Sequence, residues 1–349
     1  MSGASPEVRA YIEALESELA RQNDPSQAAA GGMDAAIELI EPAEPPTTLN
    51  VVTISAQGFA KRTPRHLYAR QRRGGMGIFD LEATGDDYPA FLVVLDESHD
   101  LLVLTTLARA FHVPVRQLPE SPIRARGTSL MTGLSLQPDE RLAAVLPAGR
   151  GVGVALLTER GYGRVLPAHV VGQSMTPGTA LMRVAEFGML AAACWTAGDG
   201  DLFVVSERGI AIRFPERGLP LPGGLAIRLE AGDRPVGIEA VRPPDGDAVF
   251  LLSADGRGST RLMSGFGANK APGGGGKTAL KSDRLVAATA VTPDDDIFII
   301  SRLSKIIRFR ANEVPGKEGV VQGVNCMALR ADECTALATS PSAPPSSTL

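Results

Sequence analysis

Short runs of apolar, often β-branched residues recur along the chain, and each run is followed by a polar turn and a second segment that carries basic residues. The first such pair is Val51–Ile54 and Gly58–Arg62, and the last is Ile297–Ile300 and Lys305–Arg310. Two β-rich segments of this length joined by a short polar or Gly-containing turn are typical of a β-hairpin. The pattern therefore predicts a succession of β-hairpins.

The hairpins repeat at a nearly constant period. Their second strands begin near residues 59, 109, 162, 210, 257 and 305, which gives spacings of 50, 53, 48, 47 and 48 residues. After a variable loop, each hairpin is followed by a Gly-centred segment: Gly74–Gly77, Arg126–Thr128, Pro177–Thr179, Gly223–Leu225, Gly275–Lys277 or Gln322–Val324. Repeats of this length are typical of propeller blades, which bury their apolar faces only against one another. We therefore predict an all-β, six-bladed, propeller-like fold.

The two ends of the chain lack this pattern. An N-cap at Ser5, a Pro at the first helical position and apolar residues on one face predict an amphipathic helix over residues 1–21. Residues 22–48 are rich in Ala, Gly, Pro and Glu and predict an acidic flexible linker. The polar, Pro-rich residues 335–349 predict a disordered tail. The six-bladed domain is then expected over residues 49–334.

Composition excludes several classes of protein. No stretch reaches the ~18 consecutive apolar residues of a membrane span, and the first residues lack the features of a secretory signal. Neither the three cysteines nor the four histidines show metal-ligand spacing, and an odd cysteine count does not fit a complete disulfide framework. We therefore expect a cytoplasmic protein with no membrane partner, no metal and no cofactor.

The most unusual local feature is a run of positive charge. Residues 51–79 contain six Lys and Arg side chains and no acidic residue. A solvated protein surface normally mixes both signs of charge, whereas duplex DNA attracts such a patch because each cation placed on a phosphate releases a counterion. The patch therefore predicts a DNA contact, with a generic basic surface as the alternative. Its cations are Lys61, Arg62, Arg65, Arg70, Arg72 and Arg73.

The same stretch contains a specific motif. The heptapeptide Gln71-Arg72-Arg73-Gly74-Gly75-Met76-Gly77 closely resembles the Gln-Arg-Arg-Gly-Gly-Lys-Gly box in the first blade of gyrase A C-terminal domains. Ala125-Arg126-Gly127-Thr128 is similar to a pattern in the second blade of that family, and Gly276–Leu280 is nearer to the related topoisomerase IV protein. One position differs, because Met76 stands where the family has Lys or Arg.

This resemblance implies a six-bladed β-pinwheel whose basic rim bends double-stranded DNA around itself. It predicts a non-catalytic DNA-binding and DNA-wrapping module that acts in DNA topology, alone or with gyrase or topoisomerase IV subunits, in a nucleoid-associated location. The alternative is a propeller-like protein-interaction scaffold that has lost strong DNA affinity. The candidate DNA-binding residues are Lys61, Arg62, Arg65, Arg70, Gln71, Arg72, Arg73, Gly74, Gly75, Gly77, Arg109, Arg126, Arg164, Arg213, Lys277 and Arg308.

Catalytic chemistry finds no support in the sequence. Type II topoisomerases cut DNA with a Tyr nucleophile beside an Arg, and none of the four tyrosines here follows an Arg. Residues 271–278 satisfy a permissive phosphate-loop pattern, but neither a clear strand before them nor a helical run after them is predicted. We therefore expect no catalytic residues.

Charge is unevenly distributed between the predicted arm and the repeats. Residues 1–50 hold two basic and nine acidic residues, a net charge of −7, whereas the remaining 299 residues hold 33 basic and 30 acidic residues, a net charge of +3. An acidic arm attached to a basic body can compete with DNA for that body. This split is the basis for the hypothesis that the arm weakens DNA wrapping.

Overall fold

The computed structural model of the protein describes residues 44–242 and 248–341. The predicted helix over residues 1–21, residues 22–43 of the predicted linker and the end of the tail lie outside the described residues. Within the described ranges, no helix is long and apolar enough to cross a membrane. The helix α1 (Val184–Phe187) is a single turn between two blades.

Each blade is built on a hairpin whose first strand is almost wholly buried. The first strands are β1 (Leu49–Ser55), β5 (Asp100–Thr105), β9 (Gly153–Thr158), β13 (Asp201–Ser206), β17 (Ala248–Ser253) and β21 (Asp295–Ser301). They lie inside their sheets and are covered on both faces by neighbouring blades, which explains their nearly continuous apolar sequences.

The second strands begin at the residues that the repeat predicts. They are β2 (Phe59–Pro64), β6 (Arg109–Pro114), β10 (Tyr162–Pro167), β14 (Ile210–Pro215), β18 (Arg257–Leu262) and β22 (Lys305–Arg310). All six pair antiparallel with the first strand of their own hairpin. The prediction of an all-β fold with six blades is confirmed.

A third strand completes each blade at the centre of the ring. These hub strands are β4 (Pro89–Asp96), β8 (Leu142–Pro147), β12 (Leu190–Thr196), β16 (Pro235–Val241), β20 (Leu285–Val291) and β25 (Cys334–Pro341). Each hub strand neighbours the hub strands of the blades before and after it, and β25 neighbours β4, so the ring is closed. Small residues suit this convergence: a Cβ on Gly237 would lie 3.0 Å from the Cβ of Ala288 in the next blade.

Successive blades also exchange a short strand at the outer edge. The two-residue rim strands are β3 (Ile78–Phe79), β7 (Thr128–Ser129), β11 (Thr179–Ala180), β15 (Gly224–Leu225), β19 (Lys277–Thr278) and β24 (Val324–Asn325). Each follows the hairpin of one repeat and pairs with the second strand of the preceding blade. Because β3 of the first repeat pairs with β22 of the last, this exchange closes the ring a second time. A further short strand, β23 (Gly316–Lys317), pairs parallel with β18.

The structure corrects the predicted C-terminal boundary of the six-bladed domain, whereas strand β1 begins at residue 49 as predicted. Strand β25 extends to Pro341, seven residues beyond the expected end at residue 334, and Cys334, Ala336, Ala338 and Ser340 alternate inward along it. The prediction of disorder from residue 335 was wrong for this strand, because small Ala, Thr and Ser residues also suit a crowded hub. At the other end, Glu44 of the predicted flexible linker forms ion pairs with the first and last blades.

Candidate nucleic-acid interface

The outer edge of the ring consists of six segments that connect each second strand to its rim strand. We call residues 65–79, 115–129, 168–180, 216–225, 263–278 and 311–325 rim segments one to six. Each begins with a 3-10 turn and ends in the two-residue strand that pairs with the preceding blade. Because the rim strands are the outermost strands of their sheets, these segments form the perimeter of the molecule.

The sixteen candidate residues fall into three classes of exposure. Lys61, Arg65, Arg213 and Arg308 are buried. Arg62, Arg70, Gln71, Gly74, Gly75, Gly77, Arg109 and Arg164 are partly exposed. Arg72, Arg73, Arg126 and Lys277 are exposed. The basic stretch is therefore not one continuous cationic surface.

Lys61 lies in the interior of the protein. Its ammonium Nζ is 2.7 Å from Oδ1 of Asp80, both side chains are fully buried, and Nζ also donates to the carbonyl of Pro122. Burial lowers the pKa of Lys61 below its usual value, although Asp80 opposes the shift. The hydroxyl of Tyr68 donates to the same carboxylate, and burial together with that negative charge raises the pKa of Tyr68 well above its usual value. This group holds charges inside the first blade and presents none to solvent.

Arg65, Arg70 and Arg308 join the last blade to the first. Arg308 donates to Oδ2 of Asp296 through Nε at 3.0 Å, and Nε of Arg70 donates to Oδ1 of the same carboxylate at 2.7 Å. Glu44 lies between the other two arginines, with Oε1 accepting from Nε of Arg65 at 2.9 Å and Oε2 lying 2.6 Å from Nη1 of Arg308. These cations stabilise the seam at which the ring closes.

The same arrangement recurs at other seams between blades. A basic side chain on a second strand donates to a backbone carbonyl in the rim segment of the next repeat. The pairs are Arg62 to Leu118 (2.8 Å), His112 to Val171 (2.8 Å), Arg164 to Leu221 (2.8 Å), Arg213 to Met263 (3.0 Å) and Arg308 to Tyr68 (3.0 Å). The recurrence of basic residues in the repeat thus has a structural cause, since these side chains hold neighbouring blades together.

Arg109 is also committed to contacts within the fold. Its Nη1 is 2.7 Å from Oε2 of Glu140, and its Nε donates to the carbonyl of Gly178 in rim segment three at 3.1 Å. Its guanidinium also lies over the ring of Phe111. Arg109 therefore bridges its own blade and the neighbouring rim segment.

The heptapeptide Gln71–Gly77 lies across the closing seam. The backbone N–H of Gln71 donates to the carbonyl of Arg308, that of Gly74 donates to Cys326, and that of Ala328 donates to the carbonyl of Gly75. Gly77 has a φ of +70°, and a Cβ there would lie 2.6 Å from the carbonyl oxygen of Ile306. The glycines of this motif let its backbone pack closely against the last blade.

Two arginines of the motif project from that anchored backbone. Arg73 donates from Nε to the carbonyl of Glu313 at 2.9 Å and remains exposed. The side chain of Arg72 makes no hydrogen bond or ion pair with any residue in the described part of the chain. Arg126 of rim segment two and Lys277 of rim segment five are exposed as well, each beside an aromatic ring.

Charge is distributed unequally among the rim segments. Segment one has four arginines and no acidic residue. Of these, Arg65 is buried and Arg70 is paired with Asp296. Arg72 and Arg73 therefore supply the exposed charge of this segment. Segment two has three basic residues and one acidic residue, and segment five has two basic residues and no acidic residue. Segment three has no charged residue other than a histidine, segment four has one Arg and one Glu, and segment six has one Lys and two Glu. The rim therefore has a basic arc that runs from segment five across the mildly acidic segment six to segments one and two, and a near-neutral side over segments three and four.

Some residues of this arrangement were not singled out by the sequence analysis. The acidic partners Asp80 and Asp201 lie 19 and 12 residues from the cations that they bind, whereas Asp296 also binds Arg70 from 226 residues away. The recurrence of Asp near the start of strands β13 and β21 signals Asp201 and Asp296 only. Arg217 and Lys317 are exposed rim cations that lie between two repeat motifs. Among the described residues, no cluster of His, Cys, Asp and Glu could hold a metal ion.

Comparison with known families gives a match over four parts of the chain. The profile of the family described as "DNA gyrase C-terminal domain, beta-propeller" matches residues 49–88, 99–148, 200–242 and 295–317. These ranges contain the hairpins of blades one, two, four and six, together with several rim segments.

Among individual proteins, the DNA gyrase A protein of Mycobacterium leprae is 29% identical over 293 residues, which is 80% of this chain and 23% of that protein. The gyrase A protein of Staphylococcus aureus strain MRSA252 is 25% identical over 81% of this chain and 33% of its own length. The chain thus spans between about a quarter and a third of the gyrase A proteins that it resembles.

Two solved structures have the same fold. "Structure of DNA gyrase A C-terminal domain" superposes with a TM-score of 0.71 at 19% identity, over 83% of this chain and 99% of that one. "Crystal structure of the C-terminal domain of DNA topoisomerase IV" gives a TM-score of 0.59 at 17% identity, over 84% and 94% of the two chains. At these identities the likeness concerns the fold alone.

Proposed function

We propose that this chain, as a member of the family of DNA gyrase C-terminal β-propeller domains, binds double-stranded DNA along the basic arc of its rim and wraps it. The observation that carries the proposal is the placement of Arg72, Arg73, Arg126 and Lys277 on the perimeter, all exposed. A perimeter lined with cations contacts the phosphates of a curved duplex without reading its sequence.

Cleavage is not part of this function. The chain matches the C-terminal propeller of gyrase A, which is a non-catalytic domain distinct from the part that cuts DNA. This propeller domain is therefore not an enzyme by itself. We propose that it acts in DNA topology in the cytoplasm, at the nucleoid, either alone or beside gyrase or topoisomerase IV subunits.

The structure favours a smaller contact set than the basic stretch suggests. Lys61, Arg65, Arg213 and Arg308 are buried and hold charged partners inside the fold, so we assign them to the stability of the ring. The backbone of Gly74, Gly75 and Gly77 positions the exposed arginines against the last blade. The proposed DNA path follows rim segments five, six, one and two and leaves the ring at the near-neutral segments.

A salt-titrated binding assay on duplexes of increasing length tests this proposal. The affinity is expected to rise with duplex length until the basic arc is covered, and to fall steeply with salt because counterions are released. Replacing Arg72 and Arg126 by Ala should make the slope of log K against log salt shallower by about 2, since two phosphate contacts are lost.

The matched control is the double variant Arg160→Ala with Arg183→Ala. Both arginines are exposed and lie in the third repeat, where Arg183 follows the near-neutral rim segment three. Arg160 precedes Gly161, whose carbonyl accepts from Ala226, directly after the near-neutral rim segment four. We expect this variant to retain the wild-type salt slope. Affinity independent of duplex length, or equal slopes for both variants, would contradict the proposal and favour a protein-interaction scaffold.

A further inference from the structure

Exposed apolar side chains lie within the most basic part of the rim. Met76 and Phe79 are each 53% exposed, and Ile78 is 37% exposed. All three belong to rim segment one, at or beside the rim strand β3. Three large apolar side chains exposed within four residues of one segment are typical of a surface that meets a partner.

Cations flank these side chains on both sides. Arg72 and Arg73 precede them in the same segment, and the guanidinium carbon of Arg124 in rim segment two lies 5.8 Å from the ring centroid of Phe79. Arg124 is itself highly exposed and forms a solvent-exposed ion pair with Glu82 at 3.2 Å. A partner that fits this surface carries many negative charges and also exposes apolar surface. A DNA duplex meets both conditions when one of its base steps is opened and the faces of the bases are exposed.

The backbone beneath the patch is held in place. Ile78 and Phe79 pair with Ile306 and Lys305 of β22, and Gly77 packs directly on the carbonyl of Ile306. The side chain of Phe79, presented from a paired strand, keeps its direction when a partner presses on it, unlike a side chain on a free loop. Met76 precedes this strand and lies between Gly75, whose carbonyl accepts from Ala328, and Gly77. This rigidity is what insertion into a base stack requires.

The position of the patch suits a bend in the DNA. Rim segment one lies inside the basic arc, with segment six on one side and segment two on the other. Duplex DNA is stiff over ~150 base pairs, so following so small a perimeter requires deformation. Apolar wedges that partly unstack a base step concentrate that deformation in one kink.

We infer that Met76 and Phe79 form an apolar wedge that inserts between base pairs of the bound duplex and kinks it. The inference rests on the proposed function and adds the site at which the DNA is deformed. The cations hold the backbone on either side, and the wedge fills the opened step.

The test combines two fluorescence measurements on the whole chain. A duplex with donor and acceptor dyes at its ends reports bending, and 2-aminopurine placed along the duplex reports unstacking. The double variant Met76→Ala with Phe79→Ala is expected to lose the 2-aminopurine signal and most of the bend. Its affinity for an intact duplex should fall about tenfold, since apolar contact with the bases is lost. Its salt slope should remain that of the wild type, because no cation is removed.

Two controls make the result specific. Leu221→Ala removes a side chain that is 82% exposed in the near-neutral rim segment four, and it should leave bending and unstacking unchanged. A duplex with an unpaired two-base bulge already contains a kink, so it should restore the affinity of the double variant. Equal thermal unfolding midpoints of variant and wild type show that the ring is intact.

The outcomes separate this inference from the proposed function. If the wild type fails to bind DNA, the proposed function and the wedge are both wrong. If the wild type bends DNA and the double variant bends and unstacks it equally, the wedge alone is wrong. If the double variant abolishes self-association in sedimentation without DNA and leaves bending intact, the patch is a protein contact and the wedge is again wrong.

Discussion

Lys61 and Lys270 have the same side chain in opposite environments. The ammonium of Lys61 is buried against Asp80, whereas Lys270 is exposed in rim segment five. Removing one partner of a buried ion pair leaves the other charge uncompensated in the interior, while removing an exposed cation changes little in the fold. Lys61 therefore stabilises the fold, whereas Lys270 contributes charge to the surface.

A pair of substitutions separates these two roles. Lys61→Met is expected to lower the free energy of unfolding by about 3–5 kcal/mol, measured by urea denaturation, and to leave the DNA affinity of the folded protein unchanged. Lys270→Met should leave stability within about 0.5 kcal/mol and weaken DNA binding at low salt. A Lys61→Met protein that is fully stable and binds DNA weakly would reverse this assignment.

The sequence could not distinguish buried from exposed cations, in part because the partners of Arg70 and Arg65 come from distant parts of the chain. The carboxylate of Asp296 that binds Arg70 is 226 residues away in sequence, and the hydroxyl of Ser340 that accepts from Arg65 is 275 residues away. A run of basic residues shows how many charges are present. Only the closed ring determines which of them reach the surface.

Local signals predict the hairpins well. An apolar run and a turn together predict where each second strand begins. The turns also share a hydrogen bond that the repeat pattern does not reveal. Every first strand ends in a Ser or Thr, and in most blades its hydroxyl accepts from the backbone N–H four residues later, as with Ser55 and Phe59. The rim strands are only two residues long, too short for an alternating pattern, so their pairing could not be predicted.

The rim strand β3 depends on a glycine that no other residue can replace without strain. Gly77→Ala combines a positive φ with a clash against the carbonyl of Ile306, and is expected to lower the free energy of unfolding by about 3 kcal/mol. Gly85→Ala is the control, since Gly85 also has a positive φ but no atom within 4 Å of an added Cβ. The free energy of unfolding of this control variant should fall by about 1 kcal/mol, from backbone strain alone. If thermal or urea unfolding showed the same loss of stability for both variants, β3 would contribute little to closing the ring.

At the scale of the whole molecule, the repeat period predicts six blades but not how they close. Closure uses β25 at the hub, β3 at the rim and the arginine cluster around Glu44 and Asp296. The division of the rim into a basic arc and a near-neutral side also appears only when the segments are placed in order around a ring. Net charge, which is −4 for the chain, conceals that division.

The central claim, that DNA is wrapped around this rim, can be measured as a change in linking number. Nicked plasmid is incubated with increasing amounts of the protein, sealed with ligase, stripped of protein and resolved on a gel. Wrapping predicts a shift of the topoisomer distribution that grows with the number of bound molecules. The shift should shrink when Arg72 and Arg126 are replaced by Ala. A distribution identical to that of protein-free plasmid, under conditions in which the protein is bound, would contradict the account.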